Sequence, residues 1–89
     1  MWNDRLRLAE SVEADWKSLN AEEREAVRHA LRMIDDDPIA GAPLFDPLDG
    51  LWSYRTGGLR IVYRIMSEAR FVVILSISRA ASSEEKRGR

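Results

Sequence analysis

Arg55, Arg60 and Arg64 lie close together in the stretch LWSYRTGGLRIVYRI, Leu51 to Ile65. A guanidinium is planar, charged at every relevant pH, and forked so that it grips a phosphate or carboxylate through two parallel hydrogen bonds. Three of them in so short a segment suggest capture of an anion, or stabilisation of charge that develops on one. Their placement depends on Gly57-Gly58. A two-residue hairpin turn needs positive φ at both central positions, which glycine alone adopts without strain. Such a turn pairs Thr56 with Leu59, Arg55 with Arg60, Tyr54 with Ile61, Ser53 with Val62 and Trp52 with Tyr63. Strand alternation then sorts the side chains into two sets. Trp52, Tyr54, Leu59, Ile61, Tyr63 and Ile65 share an apolar face, and Ser53, Arg55, Arg60, Val62 and Arg64 share the other. A slip of one residue would send arginines into the core, so the register is strongly constrained. Directly opposed like charges on a hairpin are destabilising. Either the two side chains splay into water, or an anion sits between them.

Other residues with chemical potential are weaker candidates. His29 falls off the apolar stripe of its helix and faces solvent, with no visible partner for catalysis. Asp35, Asp36 and Asp37, with Asp46 and Asp49 nearby, are rich in oxygen, but their spacing fits no cation-binding loop. They read as a solvated helix end, and since acidic residues are unfavourable at a helix C-terminus, a basic surface is their natural neighbour. Trp16 and Trp52 fall on core faces, which leaves Trp2 as the tryptophan free to stack on a base. The terminal EEKRGR reads as a frayed tail over about residues 80–89, with Lys86, Arg87 and Arg89 available to phosphate.

The elements that must position the arginines follow from periodicity. The run NDRLRL, Asn3 to Leu8, alternates at its end and suits a short first strand. Val12, Trp16 and Leu19 recur at helical spacing within AESVEADWKSL. A second helix begins at a capping-box-like pair, Asn20 and Glu23, and carries the stripe Val27, Ala30, Leu31 and Ile34. Pro38 cannot continue it, and Asp37 is biased away from helical geometry, so it ends near Asp36. Pro38 to Gly50 is a turn-rich loop whose Leu44 and Phe45 pack down. Three strands follow at 51–56, 59–66 and 70–78, the last nearly all apolar as in a central strand. The order is β-α-α-β-β-β: an α+β domain with a helix hairpin on one face of a small, mostly antiparallel sheet.

The 89 residues make a single domain, 45% hydrophobic and 33% charged, which excludes a disordered chain. There is no cysteine, so disulfides, thiolate metal sites and a cysteine nucleophile are excluded. No run approaches the roughly 20 apolar residues of a membrane span, and the charged start MWNDRLRLAE is unlike a signal peptide. A cytoplasmic protein is expected. The net charge of −1 conceals an asymmetry. Residues 1–50 hold 6 Lys+Arg against 12 Asp+Glu, and residues 51–89 hold 8 against 3. The C-terminal half is therefore the side suited to an anionic or acidic partner.

This order of elements, with GLWSYRTGGLRIVYRI followed by a short connection and FVVILSI, resembles the RelE/ParE superfamily of toxins from toxin–antitoxin systems. The resemblance runs from the first strand to the last. It implies a compact toxin neutralised by a cognate antitoxin, without metal or cofactor. It is consistent with ribosome-dependent cleavage of mRNA in the A site, as in the RelE branch, with non-enzymatic inhibition of DNA gyrase, as in the ParE branch, or with a relative that has lost catalysis and keeps only antitoxin binding. Arg60 matches the strand arginine that RelE-type enzymes aim at the scissile phosphate, and Arg55 matches a basic position before the turn. Arg79 lies close to a basic position after the last strand and joins Arg60 as a catalytic candidate. Arg55, Arg64 and Lys86 are the RNA- or anion-binding candidates. Two lysines of the RelE pattern are replaced here near Leu51 and Ser53. Lys86 stands near the place of a C-terminal tyrosine, so the resemblance assigns no general acid or base.

Overall fold

The computed structural model describes residues 6–44, 50–66 and 71–79. Its elements are β1 (Leu6–Leu8), α1 (Glu10–Lys17), α2 (Ala21–Asp36), a 3-10 turn (Pro38–Ala40), β2 (Ala42–Pro43), β3 (Leu51–Thr56), β4 (Leu59–Met66) and β5 (Phe71–Arg79). The strands form one sheet in the order β1-β5-β4-β3-β2. β1 runs parallel to β5, and the remaining pairs are antiparallel. The expected α+β architecture is observed, with one added strand, β2, from within the Pro38–Gly50 loop.

α2 begins where the sequence marks it. The Asn20 side chain accepts from the Glu23 backbone N–H (2.8 Å), and the Glu23 carboxylate accepts from the Asn20 N–H (2.9 Å), which satisfies two of the helix's unpaired donors. Its stripe of Val27, Ala30, Leu31 and Ile34 is buried against Leu59, Ile61, Tyr63, Val72, Ile74 and Ile77 of the sheet. Each large apolar side chain so buried contributes about 1.5–3 kcal/mol. α1 adds Val12 to the same core and the connection after it adds Leu19, with Trp16 packed at its margin. The guanidinium of Arg24 lies 5.5 Å from the Trp16 ring and caps the end of α1 by donating to the carbonyls of Trp16 and Lys17.

The loop after α2 is held by one core residue. Tyr63 is fully buried, yet its hydroxyl reaches the loop, donating to the Pro38 carbonyl (2.6 Å) and accepting from the Gly41 N–H (3.2 Å). Burial pushes the Tyr63 phenol above its usual range. Gly41 is required by proximity, not by backbone angle: a Cβ there would collide with the Ser53 carbonyl and the Tyr63 hydroxyl. Leu44 is half-buried, and its N–H donates to the Leu51 carbonyl (2.8 Å). Phe45 lies outside the described residues.

Candidate functional site

The β3–β4 hairpin has the register expected from its turn, with Arg55 directly opposite Arg60 and Leu51 opposite Arg64. Gly57 and Gly58 have φ of 53° and 80°, the left-handed region that the turn demands. Leu59, Ile61 and Tyr63 are fully buried beneath the helices. Their neighbours Arg60 and Val62 are half-buried, and Arg64 is exposed, on the face the helices leave open.

Pairing with β5 extends this open face into rows of side chains. One row runs Arg55, Arg60, Ser78; the next runs Ser53, Val62, Ser76; a third runs Leu51, Arg64, Val73, Arg7. No aspartate or glutamate occupies this face among the described residues. Neither Arg55 nor Arg60 is without an interaction partner in the chain. Arg7 is a residue the sequence reading did not single out. Its signal was the alternation of LRL, with Leu6 buried and Arg7 turned the other way.

Arg79 does not join them. The register shifts between Val62 and Tyr63, which pair with Ser76 and Ile74, so Leu75 is an extra residue on β5. Such a bulge reverses the alternation beyond it. Ser76 and Ser78 therefore share the open face, whereas Arg79 pairs with Leu59 and turns toward the helices. There it forms a forked contact with Glu23, Nε to Oε2 at 3.0 Å and Nη2 to Oε1 at 2.8 Å, and also donates to the Ser18 carbonyl (3.4 Å). The Asn20 N–H and the Arg79 guanidinium together hold the Glu23 carboxyl below its usual range. The two residues given the catalytic role in the sequence reading, Arg60 and Arg79, thus stand on opposite faces of the sheet. Arg79 ties β5 to the start of α2.

The remaining candidates divide in the same way. Lys86, Trp2, Asp46 and Asp49 lie outside the described residues. His29 is exposed on α2. Asp35 is half-buried and engaged, and Asp36 and Asp37 are exposed at the helix end. No group of three or more potential metal ligands occurs among the described residues. The open face therefore presents Arg55 and Arg60 directly opposite one another. Its described side chains include no carboxylate, imidazole or phenol to move a proton.

Comparison with known proteins gives this face its context. The model of the family described as the ParE toxin of the parDE type II toxin–antitoxin system matches residues 4–83. The chain belongs to the ParE toxin family. It is a toxin of a toxin–antitoxin system with the RelE-like fold. The toxin–antitoxin complex RelBE2 of Mycobacterium tuberculosis contains a similar chain, 30% identical with a TM-score of 0.77, over 83% of this toxin and 94% of that chain. The YoeB/ParE toxin of Agrobacterium tumefaciens is 25% identical with a TM-score of 0.71, over 84% and 96%. The isolated RelE toxin of E. coli shares the fold at 22% identity, with a TM-score of 0.73 over 94% and 97%. Comparison with curated protein sequences yields no significant match. No helix among the described residues is long and apolar enough to cross a membrane.

Proposed function

We propose that this toxin arrests growth by cleaving mRNA held on the ribosome, with Arg60 as the ligand of the reacting phosphate and Arg55 beside it. The observation that carries this reading is the row Arg55, Arg60, Ser78 on a face with no acidic side chain among its described residues. In the reaction, a 2′-oxygen attacks the adjacent phosphorus as its proton leaves. The bond to the 5′-oxygen breaks, that oxygen takes up a proton, and a cyclic phosphate and a free 5′-hydroxyl remain. The five-coordinate phosphorus carries additional negative charge at its oxygens, and forked guanidinium donors stabilise that charge more than the ground state. Proton transfer falls to groups beyond the described residues of the face, and positioning by the ribosome supplies much of the rest. A cognate antitoxin would hold the toxin inactive, as the toxin–antitoxin complexes among its structural neighbours suggest.

A second reading, inhibition of DNA gyrase, is favoured by the family match itself and by the lack of a proton-transfer group on the described part of the face. One pair of assays separates the two. Purified toxin is added to programmed ribosomes and, separately, to a gyrase supercoiling reaction. Cleavage in the A-site codon, reduced about 10²–10³-fold by Arg60→Ala, is the expected result. Intact mRNA together with blocked supercoiling would replace cleavage with gyrase inhibition.

A further inference from the structure

Charge is divided between the two sides of this toxin. All nine carboxylates of the described residues lie between Glu10 and Asp37, in α1, α2 and the residue after α2. The open face of the sheet, with Arg7, Arg55, Arg60 and Arg64, has none among its described residues. The helix layer is nevertheless rich in cations: Lys17, Arg24, Arg28 and Arg32 belong to it, and Arg79 is turned toward it.

Three of these cations gather around one half-buried ring. The guanidinium of Arg24 lies 5.5 Å from the Trp16 centroid, and that of Arg28 lies 5.3 Å from it. Lys17 follows Trp16 in the chain, and its carbonyl accepts from Arg24. An aromatic ring among cations is how single-stranded nucleic acids are bound without regard to sequence, the ring taking bases and the cations phosphates. Here both exposed cations of the group meet a carboxylate. Lys17 Nζ lies 3.8 Å from Glu13 Oε2, and Arg28 Nη1 lies 3.1 Å from Glu25 Oε1. Arg79, which reaches the Ser18 carbonyl beside them, is forked onto Glu23.

The side chains of Glu13 and Glu25 are 75% and 70% exposed, so their pairs add little to stability. Their effect on a visiting phosphate is larger. A phosphate that reaches Lys17 or Arg28 stands within a few ångströms of the paired carboxylate as well. At that range repulsion offsets attraction, and salt does little to screen either.

We propose that Glu13 and Glu25 are specificity residues: they mask a nucleic-acid-like patch formed by Trp16, Lys17 and Arg28, and so deny polyanions a second landing surface on the toxin. Specificity of this kind comes from penalising the wrong contact, not from improving the right one. The masking stands on the helix layer alone; only its consequence for the toxin rests on the open face being the phosphate-binding side. The two sides do not interfere. A helix with its side chains is about 10–12 Å across and lies on the sheet, which puts the carboxylates roughly 20 Å from the open-face arginines. The Debye length at physiological salt is about 8 Å, so the acidic layer does not weaken the pull of the open face.

The test is made with Glu13→Gln combined with Glu25→Gln, in wild type and in a background carrying Arg55→Ala and Arg60→Ala. A short, fluorescently labelled oligouridylate is titrated by anisotropy at salt concentrations around 0.15 M, and melting temperatures are compared to exclude misfolding. The background protein is expected to lose the oligouridylate, and the two glutamines should restore binding through the helix layer. The restored binding should show a slope of log affinity against log salt of about −1.4, the single-strand value for two phosphate contacts. Adding Lys17→Gln and Arg28→Gln should abolish it again. In wild type the same two glutamines should add a second, weaker site, which keeps the test usable if the background protein unfolds.

No gain of binding from the glutamines in either protein overturns the masking. So does a gain that survives Lys17→Gln with Arg28→Gln, since the patch is then elsewhere. Binding by the background protein with both carboxylates intact also overturns it, because a second surface is then already open. If wild type binds nothing and the glutamines create binding, the masking stands and the open face is lost as a phosphate site.

Discussion

The two faces of one hairpin obey opposite rules. On the helix-covered face, Leu59, Ile61 and Tyr63 have no exposure, and Trp52 stacks on Tyr63 with ring centroids 6.4 Å apart. On the open face, the residues between them oppose arginine to arginine across the same two strands. The first arrangement is what stability alone would select. The second costs stability and is tolerated because the covered face holds the strands in place regardless. The register is secured by packing on the covered face, so the residues of the open face are not needed to set it.

The strongest way to break this contrast is to make one substitution on each face. Ile61→Ala removes a fully buried side chain and should cost about 2–5 kcal/mol in urea denaturation. Its neighbour Arg60→Ala should cost less, about 1 kcal/mol, while reducing the proposed cleavage about 10²–10³-fold. Comparable destabilisation by both would mean that the open face is structural.

A smaller effect concerns Arg79, which left the open face for the covered side. The Glu23 carboxyl is held below its usual range, so the folded state favours the ionised form. Its contribution is present above the unfolded carboxyl's pKa and is lost as pH falls through the lower, folded value. Thermal melts from pH 7 down to 3 should therefore show a loss at the acid end that is reduced in Glu23→Gln. Equal acid sensitivity in the variant would remove the tether from the account.

The smallest effect runs in the opposite direction. Arg55→Thr relieves the opposed charges and should stabilise the hairpin by a fraction of a kcal/mol, of order 0.2–1. The same change should weaken phosphate binding, so stability and affinity should move apart. A variant less stable than wild type would show that the interaction Arg55 makes within the chain outweighs the repulsion.

The hairpin was legible because the Gly57-Gly58 turn fixes the register and alternation does the rest. α2 was legible because Asn20, Glu23 and Pro38 mark its ends chemically. β2 was not, since Ala42 and Pro43 carry no pattern and pair with Ser53 and Trp52 through the backbone. The side taken by Arg79 was also hidden. In RFVVILSIS nearly every residue is apolar, so no alternation exists in which a reader could see one extra residue. Without the bulge at Leu75, strict alternation from Val73 would carry Arg79 onto the face of Arg60. A single inserted residue turns Arg79 from the catalytic candidate of the sequence into a tether to α2.

α1 has a consequence of another kind. β1 ends at Leu8, opposite Ile74, and beyond that point no strand among the described residues pairs with the outer side of β5. The helix takes the strand's place: Ser11 Oγ donates to the Leu75 carbonyl (3.0 Å), and Asp15 Oδ2 accepts from the Ile77 N–H (2.9 Å). An apolar strand with open backbone groups invites a second molecule to pair with it. Two polar side chains occupy groups on that edge, so a neighbouring copy would have to displace them to pair with this largely apolar strand.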